Sequence, residues 1–165
     1  MSYSVLFWVH VLSYITWLVA FAFSLYYAYK VGKSYNSPSE RRFMKLERRA
    51  TSIGAHIGAL GILISGGAMV SIPGGQQFGW FNFDNFAWLA VKQVVFFLIL
   101  ILVGFSIKRG IDFKKQLRSE EGEIPGEDVR KKWKRAYDLS MAVYALVILN
   151  TFLGLYNTAQ IFKPL

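Results

Sequence analysis

The chain contains no cysteine. A thiolate metal site, an iron–sulfur cluster, a covalently attached c-type haem and a disulfide are therefore excluded, and any metal or cofactor has to be held by other side chains. Histidine is nearly as scarce, with only His10 and His56. Charge is low at 18% of residues, and ten acidic side chains face nineteen basic ones. No carboxylate dyad, nucleophile–base pair or internal repeat stands out, and low complexity is confined to Gly74-Gly75-Gln76-Gln77. The chain is rich instead in apolar bulk. Of its 165 residues 54% are hydrophobic and 17% aromatic, gathered in blocks rather than spread with a globular period.

Four blocks approach or exceed the roughly 20 residues that cross a hydrocarbon core about 30 Å thick. They run from about Ser4 to Tyr29, Ala50 to Ile72, Phe86 to Ile107 and Ala136 to Ile161. The expected fold is an all-α integral membrane protein, a single four-transmembrane-helix bundle over 1–165. Met1 to Ser4 lack a basic n-region, and the first block is too long and too aromatic for a cleaved signal. The first helix is expected to act as its own insertion signal.

The net charge of +9 would draw nucleic acid if it were spread over one face, but it is concentrated in two of the three loops. Loop one, Lys30 to Arg49, holds seven basic residues against Glu40 and Glu47, and loop three, Lys108 to Arg135, holds ten against six. The middle loop, Pro73 to Asn85, carries only Asp84. The charge is thus a topology signal. The positive-inside rule predicts loops one and three in the cytoplasm and both termini outside, in a bacterial inner membrane. Tyr3, Trp8, Trp80, Trp88 and Phe162 then mark the outer interface, and Tyr26, Tyr27, Tyr29, Trp133 and Tyr137 the inner one. The acidic patch Glu120 to Asp128 reads as a solvated turn, with Lys108 to Leu117 extending the third helix.

Against this apolar background Lys92, in Trp88-Leu89-Ala90-Val91-Lys92, is the residue to explain. A cation in a span costs about 3 to 10 kcal/mol unless a partner, a cavity or a bound anion offsets it. It either snorkels to the interface along its own stem or meets an anion such as a haem propionate or substrate carboxylate. At about 1.5 Å per residue, His10 lies roughly 9 Å inside the outer boundary, at the depth of Lys92. Asn150, Gly154 and Asn157 fall on one stripe, and with Thr151 and Gln93 they make a polar cluster at that depth. His56 lies on the order of 12 Å deeper, so the two histidines are poorly placed to ligate one iron. Met69 is a candidate sixth ligand. Gly54, Gly58, Gly61 and Ser65 form a narrow stripe, read either as close helix packing or as room for a flat macrocycle, with His56 nearly opposite.

Four stretches carry a family resemblance: Trp8-Val9-His10-Val11-Leu12, Met44-Lys45-Leu46-Glu47-Arg48-Arg49, Trp88-Leu89-Ala90-Val91-Lys92 and the closing Lys163-Pro164-Leu165. In order and spacing the chain resembles the HemJ-type protoporphyrinogen IX oxidases and their CopD-like relatives, four-helix membrane proteins. The resemblance implies haem b with His10 as metal ligand, Lys92 as the catalytic position, and electrons passed from protoporphyrinogen to a membrane acceptor such as a quinone. Lys92, Asn150 and His56 are the further candidates for cofactor binding. The alternative function is a non-catalytic accessory subunit of a larger respiratory or photosynthetic complex, with Lys92 paired to a partner's acid; a homo-oligomer is compatible with either. A copper permease is hard to build with no cysteine, two separated histidines and four scattered methionines.

Overall fold

The computed structural model describes residues 3–71 and 80–161, with the backbone alone at 55, 85–86 and 154–161. Most of the glycine-rich middle loop, Phe162 and the closing Lys163-Pro164-Leu165 lie outside the described residues, as do the side chains of Gly154 and Asn157. Helix α1 spans Tyr3–Lys33, α2 Pro38–Ile53, α3 Ala59–Ser71, α4 Phe83–Ser119 and α5 Glu127–Ile161. A π-helical turn, Gly54–Gly58, joins α2 to α3, so Pro38–Ser71 is one continuous helix. Four helices are long and apolar enough to cross a membrane, and no strand occurs among the described residues.

These helices outrun the apolar blocks. At 31 to 37 residues, α1, α4 and α5 reach about 45–55 Å, well beyond a hydrocarbon core. The largest departure from the sequence reading lies in loop one, which shrinks to the turn 34–37 because α2 begins at Pro38 rather than near Ala50. Local chemistry accounts for both ends of that turn. Lys30 and Lys33 sit in the last turn of α1, where its dipole favours cations, and Asn36 takes the left-handed conformation at φ 63°. Pro38 then starts α2 at a position that needs no amide proton. Glu40, Met44, Glu47, Arg48 and Thr51 bury one face of α2, at spacings of four, three, one and three.

The backbones approach closely within two sets: α1 runs along α2 and α3, and α4 along α5. The glycine stripe makes the first approach possible. Gly54 faces Ala20 and Trp17, Gly58 faces Trp17, Gly61 faces Ser13, and Ser65 meets His10. The stripe is therefore filled by α1 and leaves no slot for a macrocycle. Between the two sets lies an apolar core: Trp17 and Ala59 on one side, Ile99, Val103, Val143, Tyr144 and Val147 on the other. A second apolar cluster of Val31, Met44, Phe113, Leu117 and Val129 closes the basic end. There Arg41 donates to the carbonyls of Leu117, Glu120 and Gly122, tying the acidic turn to the end of α4.

Polarity is inverted relative to a water-soluble domain. Ile64 and Phe152 are about two-thirds exposed, and Leu12, Ile57, Ile101 and Phe105 are also open. Ser13, Ser24, Glu47, Arg48, Thr51, Ser65, Ser106 and Ser140 are buried. An apolar exterior around a core that also holds hydroxyls and paired charges is what a hydrocarbon solvent favours, since each buried polar group must find its partner inside the bundle.

Candidate functional site

His10 projects from α1 onto the small-residue face of α3. Its Nδ1 lies 3.1 Å from Ser65 Oγ, and Gly66 lies under the ring, where a Cβ would come within 3.3 Å of Cε1. Where Ser65 Oγ donates its only proton to the Gly61 carbonyl, it accepts toward His10. With Ser65 accepting, Nδ1 is the donor and Nε2 is left with the lone pair, one of the two arrangements this contact allows. A histidine held this way by one nitrogen, with the other unprotonated, is the usual arrangement of a metal-ligating imidazole.

Lys92 lies within electrostatic reach of that ring. Its Nζ turns back one helical turn toward Trp88, 6.0 Å from the ring centroid, in the direction that snorkelling requires. No carboxylate pairs with it among the described residues. The neighbouring Gln93 accepts from the Phe81 amide at 2.7 Å, fixing the entry to α4. Asn150 Oδ1 is buried without a hydrogen-bond partner, while Thr151 bonds the Tyr14 hydroxyl and ties α5 to α1. His56 stands apart. It is exposed, and its Nδ1 is 2.6 Å from the Ser52 carbonyl of its own helix. Nine residues separate it from Ser65, the neighbour of His10, or about 13 Å along the axis.

A second polar centre was not legible as a site in the sequence. Glu47 and Arg48, which read as members of a solvated basic loop, are 0% and 4% exposed. Arg48 Nε and Nη2 each donate to a Glu47 carboxylate oxygen at 2.5 Å. Ser24 at 2.7 Å, Thr51 at 2.9 Å and Trp133 Nε1 at 3.1 Å donate to the same carboxylate. Five donors saturate its lone pairs, so the charge is compensated inside the bundle. Arg48 Nη1 also donates to Ser140 at 3.2 Å, and Ser140 touches Ser106 at 2.9 Å. The centre joins α1, α2, α4 and α5. The signal that marks it in the sequence is the spacing of Glu40, Met44, Glu47 and Thr51, which places two acids on the same helix face as Met44.

Glu40 makes the companion contact nearer the basic end. Arg130 Nε and Nη2 reach its two oxygens at 2.8 Å each, the Asn36 amide donates at 2.8 Å, and the Tyr35 ring covers the guanidinium at 4.4 Å. The pair clasps the first turn to α5. Arg130→Ala is expected to cost about 1–3 kcal/mol, because Glu40 stays buried with only its backbone donor. A thermal midpoint in mild detergent equal to wild type would contradict this.

Among the described residues no three His, Cys, Asp or Glu side chains are grouped to hold a metal ion. Of the two histidines, His10 packs against Ser65 of α3, whereas His56 is exposed and turned to its own helix. Comparison with protein-family models, with curated proteins and with solved structures finds no match to this chain.

Proposed function

We propose that this chain is an integral membrane protein that binds haem b through His10 and serves as a redox protein of the protoporphyrinogen IX oxidase-like kind, passing electrons to a membrane acceptor. The apolar exterior and polar interior support insertion, and the clustering of basic residues at the end holding the 34–37 turn and the α4–α5 turn supports a cytoplasmic location for that end. The observation that carries the haem reading is the contact of His10 Nδ1 with Ser65 Oγ at 3.1 Å, which anchors one ring nitrogen to α3. When bound, haem supplies one-electron redox chemistry. The chain's own residues hold and orient: Ser65 fixes the imidazole, Lys92 offers a cation to a propionate or substrate carboxylate, and Asn150 offers an unused acceptor.

The test is a reduced-minus-oxidised visible spectrum of the protein purified in mild detergent from cells supplied with haem. Wild type is expected to give a b-type spectrum, and His10→Ala to lose it while the protein still accumulates. A colourless wild-type protein would sink the proposal. Lys92, which has no carboxylate partner among the described residues, favours a second reading, an accessory subunit whose larger complex supplies the facing carboxylate. Stoichiometric subunits co-purifying with a colourless chain, and released by Lys92→Gln, would establish it.

A further inference from the structure

Tyr144 on α5 is 3% exposed, and its hydroxyl has no partner of good hydrogen-bond geometry among the described residues, although Thr51 is close enough to interact with it. A small cavity of about 10 Å³ adjoins it, lined by Trp17, Thr51, Ser106, Ser140 and Tyr144 among others. That is about one water-sized sphere. Gly54 preserves the room, since a Cβ there would stand 3.2 Å from the Tyr144 oxygen.

The protons around the cavity decide what fits it. Ser140 donates to the Ala136 carbonyl at 2.9 Å, so in its contact with Ser106 it must accept, and Ser106 spends its own proton there. Thr51 donates to Glu47. Ser106 and Thr51 thus turn only lone pairs to the cavity, while Tyr144 has a proton to give. The complementary occupant has two protons to donate and one lone pair to accept with, in the volume of a single oxygen. We propose that one water molecule is bound here, accepting from Tyr144 and donating to Thr51 and Ser106. Three bonds are the usual complement of a buried water. The water extends the Glu47–Arg48 network, which already joins α1, α2, α4 and α5, to the Tyr144 hydroxyl.

Radiolytic hydroxyl labelling of the intact protein in detergent tests this, because bound water generates radicals where it sits. Tyr144 is expected to be oxidised several-fold faster than Phe113, which is 0% exposed in the apolar cluster at the basic end. Ser106→Val should fill the cavity and remove that labelling. Tyr144 protected as fully as Phe113 in wild type would overturn the proposal. Tyr144→Phe adds a measurement of opposite sign for the two cases. With the water bound, the thermal midpoint falls or holds; if the hydroxyl is truly orphaned, its removal raises the midpoint, and a rise overturns the site.

Discussion

Arg48→Met is expected to lose about 3–5 kcal/mol of stability and to reduce accumulation of the protein sharply, a larger effect than any exposed basic residue should show. The reason lies in what the substitution leaves behind. Glu47 is 0% exposed, and without the guanidinium its charge keeps only the Ser24, Thr51 and Trp133 donors. Glu47→Leu should be comparably harmful, since it strands Arg48 among Ser140 and Thr51. The double variant carrying both changes is expected to be more stable than either single one, because no buried charge then remains unpaired. Arg49→Met, on an exposed neighbour, should stay within about 0.5 kcal/mol of wild type. Thermal unfolding in mild detergent reads all four. A double variant no better than the worse single would show that the pair acts through its other partners rather than through charge compensation.

Gly54→Ala is the second large effect, and its sign runs against the usual rule. An alanine in place of glycine inside a helix normally adds about 0.5–1 kcal/mol, and Gly104, with nothing within 4 Å of its missing Cβ, should behave that way. At Gly54 the new methyl would run into the Ala20 methyl, and neither is able to rotate away. The α1 and α2–α3 backbones have to separate, at a cost of about 1–3 kcal/mol. Ala20→Gly should restore most of that loss in the double variant, since it reopens the same space from the other helix. Failure of Ala20→Gly to rescue would mean that the Trp17 and Tyr144 contacts of Gly54, at 3.6 and 3.2 Å, are the ones that resist.

The separation of the two histidines was legible in the sequence because it is a matter of depth. Residues at known distances from the ends of apolar blocks have known heights, and heights alone separate His56 from His10. Depth does not say which way a side chain points. The orientation of His10 onto Ser65 needs the register between α1 and α3, which the glycine stripe fixes through contacts 34 to 55 positions apart in sequence. The Glu47–Arg48 centre was missed for a related reason. Seven basic residues between Lys30 and Arg49 read as solvated charge, and that reading held for Arg42, Lys45 and Arg49, all exposed. It failed at Arg48 because its neighbours come from Ser140 and, through Glu47, from Trp133, some 86 to 92 positions away.

The amino-acid sequence by itself determined that the chain forms four long apolar helices, because hydrophobic length is a local property that needs no partner. It likewise set aside every thiol-based chemistry. Which charges lie inside the bundle was decided only by tertiary structure. Burial of Glu40, Glu47 and Arg48 depends on α2 starting at Pro38, on the glycines bringing α1 close, and on α5 delivering Trp133, Arg130 and Ser140 to the same place. A charge is tolerable in such an interior only when its donors and acceptors are already aligned, and that alignment exists nowhere but in the packed bundle.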